Sequence, residues 1–175
     1  EGKAARMTAA NNADEKKNLR ELQLLTTKPI MYVCNVDEDS AAKGNALSAK
    51  VMDMAKTRGA PCVVISAKIE AEISMLETDA EKQDFLSAIG LDETGLARII
   101  KAGYGLLDLI TYFTVGPKEA RAWTIVKGTA APAAAGVIHT DFEKGFIRAE
   151  TIGYDDYVAA KGEAGAKEAG KFRLE

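Results

Sequence analysis

Ile30-Met31-Tyr32-Val33-Cys34-Asn35-Val36-Asp37-Glu38 decides how the chain folds. Apolar, β-prone residues follow Pro29 and stop abruptly at Asn-Val-Asp-Glu, the pattern of a buried strand with polar groups at its carboxyl end. In an open parallel α/β sheet, ligands bind at that end. Asn35 offers both a donor and an acceptor, which suits the N6/N7 edge of adenine or the O6/N7 edge of guanine, and the carboxylate of Glu38 follows closely. The same residues also suit an Asx turn, in which Asn and Asp serve only the backbone.

Outward from this stretch, Ala41 to Arg58 has a helical pattern closed by Gly59, and Pro61-Cys62-Val63-Val64-Ile65 is a second apolar strand ending in Ser66-Ala67-Lys68. Strand, helix, strand is a right-handed crossover that sets both strand ends side by side. Asn-x-x-Glu followed one crossover later by Ser-Ala-Lys resembles the base-recognition and ribose-side motifs of P-loop GTPases. Asn-Val-Asp-Glu, in place of the usual Asn-Lys-x-Asp, is similar to the Obg-like ATPase (YchF) family. The resemblance continues through Ile99 to Tyr104, Tyr112 to Pro117, Arg121 to Ile125 and Ile138 to Phe146, and covers most of residues 20–175.

The resemblance implies an α/β fold: part of a P-loop GTPase-like parallel sheet with helices, then a small α+β β-grasp module, the ubiquitin-like TGS domain. Residues 1–25 are expected to be the end of a helical insertion or a flexible segment, 26–107 the carboxyl-terminal part of the nucleotide-binding domain, and 108–175 a TGS domain incomplete at its end. It also implies an ATP-binding, ATP-hydrolysing, translation-associated protein of the cytoplasm that binds the ribosome, with the large subunit as one possible surface. Asn35, Val36 and Glu38 would lie at the base, Ser66 and Ala67 beside it. ATP is expected over GTP, because Glu38 and Val36 replace the Asp and Lys that suit guanine.

The phosphate loop and the Mg²⁺ ligands of that family would lie upstream of Glu1, so residues 1–175 alone are expected to be inactive. Gly165-Ala166-Lys167-Glu168-Ala169-Gly170-Lys171-Phe172 nearly matches G-x-x-x-x-G-K-[ST], but Phe172 has no hydroxyl for a metal and no apolar strand precedes Gly165. An alternative function is a non-catalytic module docking on ribosomal RNA or protein through residues 108–175. Arg121, Lys127, Lys144 and Arg148, interleaved with Trp123, Phe142 and Phe146, could hold RNA phosphates and stack on bases. The bland reading of the same residues is a solvated face diluted by Glu119, Asp141 and Glu143.

Composition sets wider bounds. A formal net charge of −3 argues against a strongly basic nucleic-acid footprint. No run approaches a membrane span, and the first residues lack the apolar core of a signal peptide. His139 is the only histidine, and Cys34 and Cys62 lack C-x-x-C spacing, which disfavours a zinc or dithiol redox motif; both cysteines suit small buried hydrophobes.

The remaining pattern predicts further elements. Residues 1–18 have nothing to bury and are expected to be mobile or solvent-facing, followed by a helical face of Leu19, Leu22, Leu24 and Leu25. Ile69, Ile73 and Leu76 mark one helix, Ala80 to Ile89 a second, and a third opens at Asp92 to Gly95 with Leu96, Ile99, Ile100, Tyr104 and Leu107 on its buried side. Leu109 to Val115 and Ala120 to Val126 should form a hairpin, Ala130 to Ile138 and Tyr154 to Ala160 short helices, and Phe146 to Ile152 a strand.

Overall fold

The computed structural model describes residues 2–175; Glu1, the first residue of the expected 1–25 segment, lies outside them. The chain divides into two compact units, one ending at Asp108 and the other running from Leu109 to Glu175.

In the first unit, helix α1 (Ala13–Glu21) begins where the Asn12 side chain accepts from the Glu15 amide at 2.8 Å, with Asp14 and Glu15 in the first turn. The segment expected to be the end of a helical insertion or flexible, and mobile or solvent-facing, thus contains a capped helix, because cap and N-terminal acids can start a helix without any buried face. None of its residues is buried. The expected leucine face does not form: the helix stops at Glu21, Gln23 takes a φ of 47°, and Leu22, Leu24 and Leu25 are exposed beyond it.

Strand β1 (Tyr32–Asn35) pairs in parallel with β2 (Cys62–Ile65), Asn35 opposite Ile65. Pairing begins at Tyr32 and not at Ile30, since Pro61, opposite this start, lends only its carbonyl, to the Tyr32 amide at 2.9 Å, and has no N–H to extend the ladder. Between the strands, α2 (Ala46–Thr57) starts later than Ala41 because Asn45 and Ser48 form a reciprocal capping box. The preceding turn instead buries Ala41.

Ala41 packs with Ile69 and Ile73 of α3 (Ala67–Ser74), with Leu86 of α4 (Asp79–Ala88) and with Leu91, forming the core of this unit. Helix α5 (Gly95–Leu106) docks on β2. Its docked side shares only Ile99 with the predicted stripe. Buried Gly95 sets the contact, and half-buried Arg98, Ile99, Ala102 and Leu106 follow at helical spacing. Leu96, Ile100 and Leu107 are therefore turned away, at 58%, 51% and 53% exposed, and Tyr104 is exposed with them. Because α5 rests on β2, Val63 is 8% exposed while its register partner Val33 on β1 is 44% exposed, so β1 is not the fully buried strand its composition suggests.

In the second unit, β3 (Leu109–Val115) and β4 (Ala120–Val126) form an antiparallel hairpin over the predicted residues, closed by Gly116 N–H to Glu119 O at 2.9 Å. Helix α6 (Ala131–Ile138), with Pro132 in its first turn, is tied to β3 by the Tyr112 hydroxyl donating to Ala134 O at 2.8 Å. Helix α7 (Thr140–Lys144) follows; His139 caps it through Nδ1, which accepts from the Asp141 amide.

The strand predicted over Phe146 to Ile152 is shorter, β5 (Glu150–Ile152), because its antiparallel partner β6 (Phe172–Leu174) matches only those residues; the Ala149–Glu175 pair extends the ladder at one end. Helices α8 (Tyr154–Ala159) and α9 (Glu163–Glu168) lie between them.

Candidate functional site

The parallel register of β1 and β2 brings the two polar strand ends together. Asn35 closes β1; Val36 continues past it with its amide donating to Ile65 O at 2.8 Å, and β2 leads into Ser66, the N-cap of α3. Across this junction the Ala67 amide donates to Asn35 Oδ1 at 2.9 Å. A backbone N–H can only donate, so the Asn35 amide is fixed with its oxygen toward α3 and its Nδ2 amine toward the outside.

Three carboxylates follow Val36; Asp39 is exposed, and the first two are used differently. Asp37 Oδ1 accepts from the Ser40 amide, three residues on, at 2.9 Å, so Asp37 serves the backbone of a turn, although not through the i to i+2 bond of an Asx turn. Glu38 instead reaches across the crossover, where its Oε1 accepts from Lys68 Nζ in the first turn of α3. That bond, then Glu38's own backbone N–H, holds the Glu38 carboxyl below its usual range, and the same contact raises the Lys68 ammonium.

Ser66 is buried, yet among the described residues its hydroxyl has no hydrogen-bond partner and does not cap α3. A buried hydroxyl left unpaired costs about 1–3 kcal/mol. Asn35 Nδ2 and Ser66 Oγ thus lie at the two adjoining strand ends, next to half-buried Val36.

Sequence reasoning missed two features here. In the sequence Lys68 stands out only as the end of Ser-Ala-Lys; the signal for its contact is Glu38, a long acid that can reach a cation one crossover away. Cys34 and Cys62 meet on one face of the sheet, Sγ to Sγ 3.8 Å, half-buried in place of the expected burial; burial, with Cys34 alongside, pushes the Cys62 thiol up.

Among the described residues no group of three or more His, Cys, Asp or Glu is gathered to hold a metal ion. No helix of the described residues is long and apolar enough to cross a membrane. The near-match to a phosphate loop is not a loop: Gly165 to Glu168 lie on α9, and Phe172 begins β6. Gly165 has a packing reason to be glycine, since a Cβ there would come within 2.2 Å of Ala160 O.

In the second unit the four basic candidates fall into separate settings. Arg121 on β4 stacks over the Trp123 ring, 4.3 Å from its centroid, while Trp123 Nε1 donates to Thr114 Oγ1. Arg148 lines a cavity of about 640 Å³ with Phe142, Phe146 and Ile147, the last 90% exposed, and Asp141 lines it too. Lys144 ends α7 and Lys127 follows β4, both exposed.

A parallel strand–helix–strand unit with an Asn clamped to the amide of Ser-Ala-Lys, followed by small antiparallel sheets with helices, defines an α/β protein of the P-loop GTPase type with a TGS-like α+β module. Residues 109–175 match the family model YchF-GTPase_C, described as a protein of unknown function (DUF933). The chain is 55% identical over 168 residues to the ribosome-binding ATPase YchF of Haemophilus ducreyi, covering 96% of this chain and 46% of that protein. It is 54% identical over 164 residues to the protein of the same name from Bacillus subtilis, covering 93% and 44%. The solved structure of the Schizosaccharomyces pombe YchF GTPase superposes with a TM-score of 0.82 at 35% identity, over 97% of this chain and 45% of that one. Over nearly its whole length the chain is similar to YchF proteins, and it spans less than half the length of the relatives it matches.

Proposed function

We propose that this chain supplies the base-recognition part of an ATP-hydrolysing, ribosome-binding protein of the cytoplasm. The observation that carries this reading is the Ala67 N–H to Asn35 Oδ1 bond at 2.9 Å, which presents the Nδ2 amine at the carboxyl end of a parallel pair. That amine can donate to purine N7, with Ser66 and the backbone at Val36 and Ala67 beside the ring. The relatives' name, ribosome-binding ATPase, supports both the nucleotide and the ribosome.

ATP is favoured over GTP at this site. Guanine offers N1–H and N2–H₂ together, which a free carboxylate accepts as a charge-assisted pair; adenine offers an N1 acceptor and no amine at C2. Glu38 is engaged with Lys68, so guanine's distinguishing contact is missing, while adenine does not meet an unpaired carboxylate.

Charge developing on a transferred phosphoryl group needs fixed donors, which a Gly-rich loop and its Lys provide. These 175 residues contain no G-x-x-x-x-G-K-[ST] sequence. Phosphate binding, and Mg²⁺ with it, falls to residues outside them, and the chain by itself does not hydrolyse ATP.

Equilibrium titration of the full-length protein tests the base site. Asn35→Ala should weaken ATP about tenfold, the scale of a lost hydrogen bond plus the loosened Ala67 amide. Unchanged ATP affinity would remove Asn35 from the site. Phosphate release by residues 1–175 alone, lost on Asn35→Ala, would overturn the claim that they are inactive.

A second reading, a ribosome-docking module acting through residues 108–175, is favoured by the Arg121–Trp123 stack and the Arg148 groove. Cations beside aromatic faces suit unpaired bases and phosphates, with Lys127 and Lys144 as further phosphate contacts. The large ribosomal subunit is the partner this reading names. The two readings are compatible in one protein.

A further inference from the structure

We infer that Lys68 is a specificity-determining residue, holding the Glu38 carboxylate through a direct ion pair so that the strand-end site accepts adenine and disfavours guanine. The inference rests on the assignment of Asn35 and Ala67 to a purine-binding site.

The geometry ties Lys68 to that site. It is the second residue of α3, directly after the Ala67 amide that orients Asn35, and its Nζ donates to Glu38 Oε1. Glu38 lies on the segment leaving Asn35, so one ion pair spans the two strand ends. Of the other two carboxylates of that segment, Asp37 is held in its turn by the Ser40 amide and Asp39 is exposed, and Glu38 is the acid that reaches α3.

Lys68 then acts on both purines. For guanine, the carboxylate that would accept N1–H and N2–H₂ must first leave its ammonium partner, and that separation is charged against every guanine bound. For adenine, a carboxylate facing the N1 lone pair would bring two acceptors together; pairing with Lys68 removes that repulsion. The pair is solvent-accessible in the chain, with side chains 68% and 42% exposed, so on its own it adds little to stability. A base covering the junction excludes water and raises the weight of the same charges, so the effect belongs in nucleotide selectivity.

The test uses the full-length protein, with ATP and GTP titrated separately by calorimetry in the parent, Lys68→Met and Lys68→Arg, and the Met change repeated in a Glu38→Gln background. Lys68→Met keeps the aliphatic stem and loses the charge. It is expected to lower the ATP:GTP affinity ratio about fivefold, a shift matching a solvent-accessible ion pair at the upper end of its range. Lys68→Arg should keep the parental ratio, and Lys68→Met should change nothing once residue 38 is Gln.

An unchanged ratio in Lys68→Met with ATP still bound overturns the inference while leaving the base site standing. The same shift in the Glu38→Gln background also overturns it, because the charge then acts elsewhere than on Glu38. If Asn35→Ala leaves both affinities unaltered, the base-site assignment fails first, and the inference falls with it.

Discussion

Gly95 is the residue on which the site's geometry depends most directly, and Gly95→Ala is the perturbation that exposes this. A Cβ at Gly95 would stand 2.7 Å from Ile65 Cγ2, 3.0 Å from Ile65 Cβ and 2.9 Å from Glu70 Oε1. Carbon contacts settle near 3.5–4.0 Å, so either β2 or α5 has to shift. Overpacking of this kind costs about 1–3 kcal/mol. Glu70 adds to it: its two carboxylate oxygens accept from the Gly95 and Leu96 amides at 2.6 and 3.0 Å, closing the N-terminus of α5. If the carboxylate is displaced, those donors lose a charge-assisted partner, a further cost of about 1–3 kcal/mol. Alanine's better helix propensity returns at most about 1 kcal/mol.

The expected net loss is therefore about 2 kcal/mol or more, read as a lower urea midpoint with an unchanged slope. A local marker accompanies it. Ile65 immediately precedes Ser66 and Ala67, so pushing Ile65 lengthens the Ala67 N–H bond to Asn35, and the Ala67 amide proton should move upfield in NMR spectra and exchange faster. A parental midpoint together with an unmoved Ala67 amide would refute the claim that the α5–β2 contact holds the strand-end junction in place.

Glu81 should carry a pH-dependent share of stability. The Thr78 amide and hydroxyl, both donating to Glu81 Oε2, hold its carboxyl below the usual range. The charged form is thus favoured by folding; its contribution is complete above the ordinary glutamate value of about 4.3 and fades as pH falls through the lower folded value. Glu81→Gln should lower the melting temperature at pH 7 and converge with the parent in acid; a gap that persists at pH 2 would contradict this. Reversing Arg121 and Lys144 to Glu together should weaken ribosome co-sedimentation of the full-length protein, more at low salt than at high, because phosphate contacts act through counterion release. Equal binding across the salt series would leave the solvated-face reading of those residues in place.

What was legible in the sequence was mostly local. The hairpin from Leu109 to Val126 and the helices at Ile69, Ala80 and Ala131 could be seen because their period, turns and stops sit within a few residues of each other. The errors occur where a partner distant in sequence decides. The side of α5 that docks is chosen by Gly95 against Ile65, and a glycine contributes nothing to a hydrophobic pattern, so the stripe from Leu96 to Leu107 looked like the buried one. The length of β5 is set by β6, and the exposure of Val33 by where α5 lands. At the N-terminal end, the bounds of α1 are not legible in the apolar pattern, because a cap and two acids start a helix that has no apolar face.

The strand-end motif shows the same division within four residues. Asn35 and Glu38 could be picked out by type and spacing, yet Asp37 and Glu38 are adjacent acids with no sequence mark to separate their tasks. Side-chain length separates them. Asp37 is short enough to turn back on the Ser40 amide, and that turn aims the chain so that the longer Glu38 faces α3. There it meets Lys68, whose position is fixed because Ile65 pairs with Asn35 and α3 starts at once beyond Ser66. The turn reading of Asn-Val-Asp-Glu and the base site proposed for it are therefore compatible: Asp37 closes the bend, and beyond it Glu38 meets Lys68.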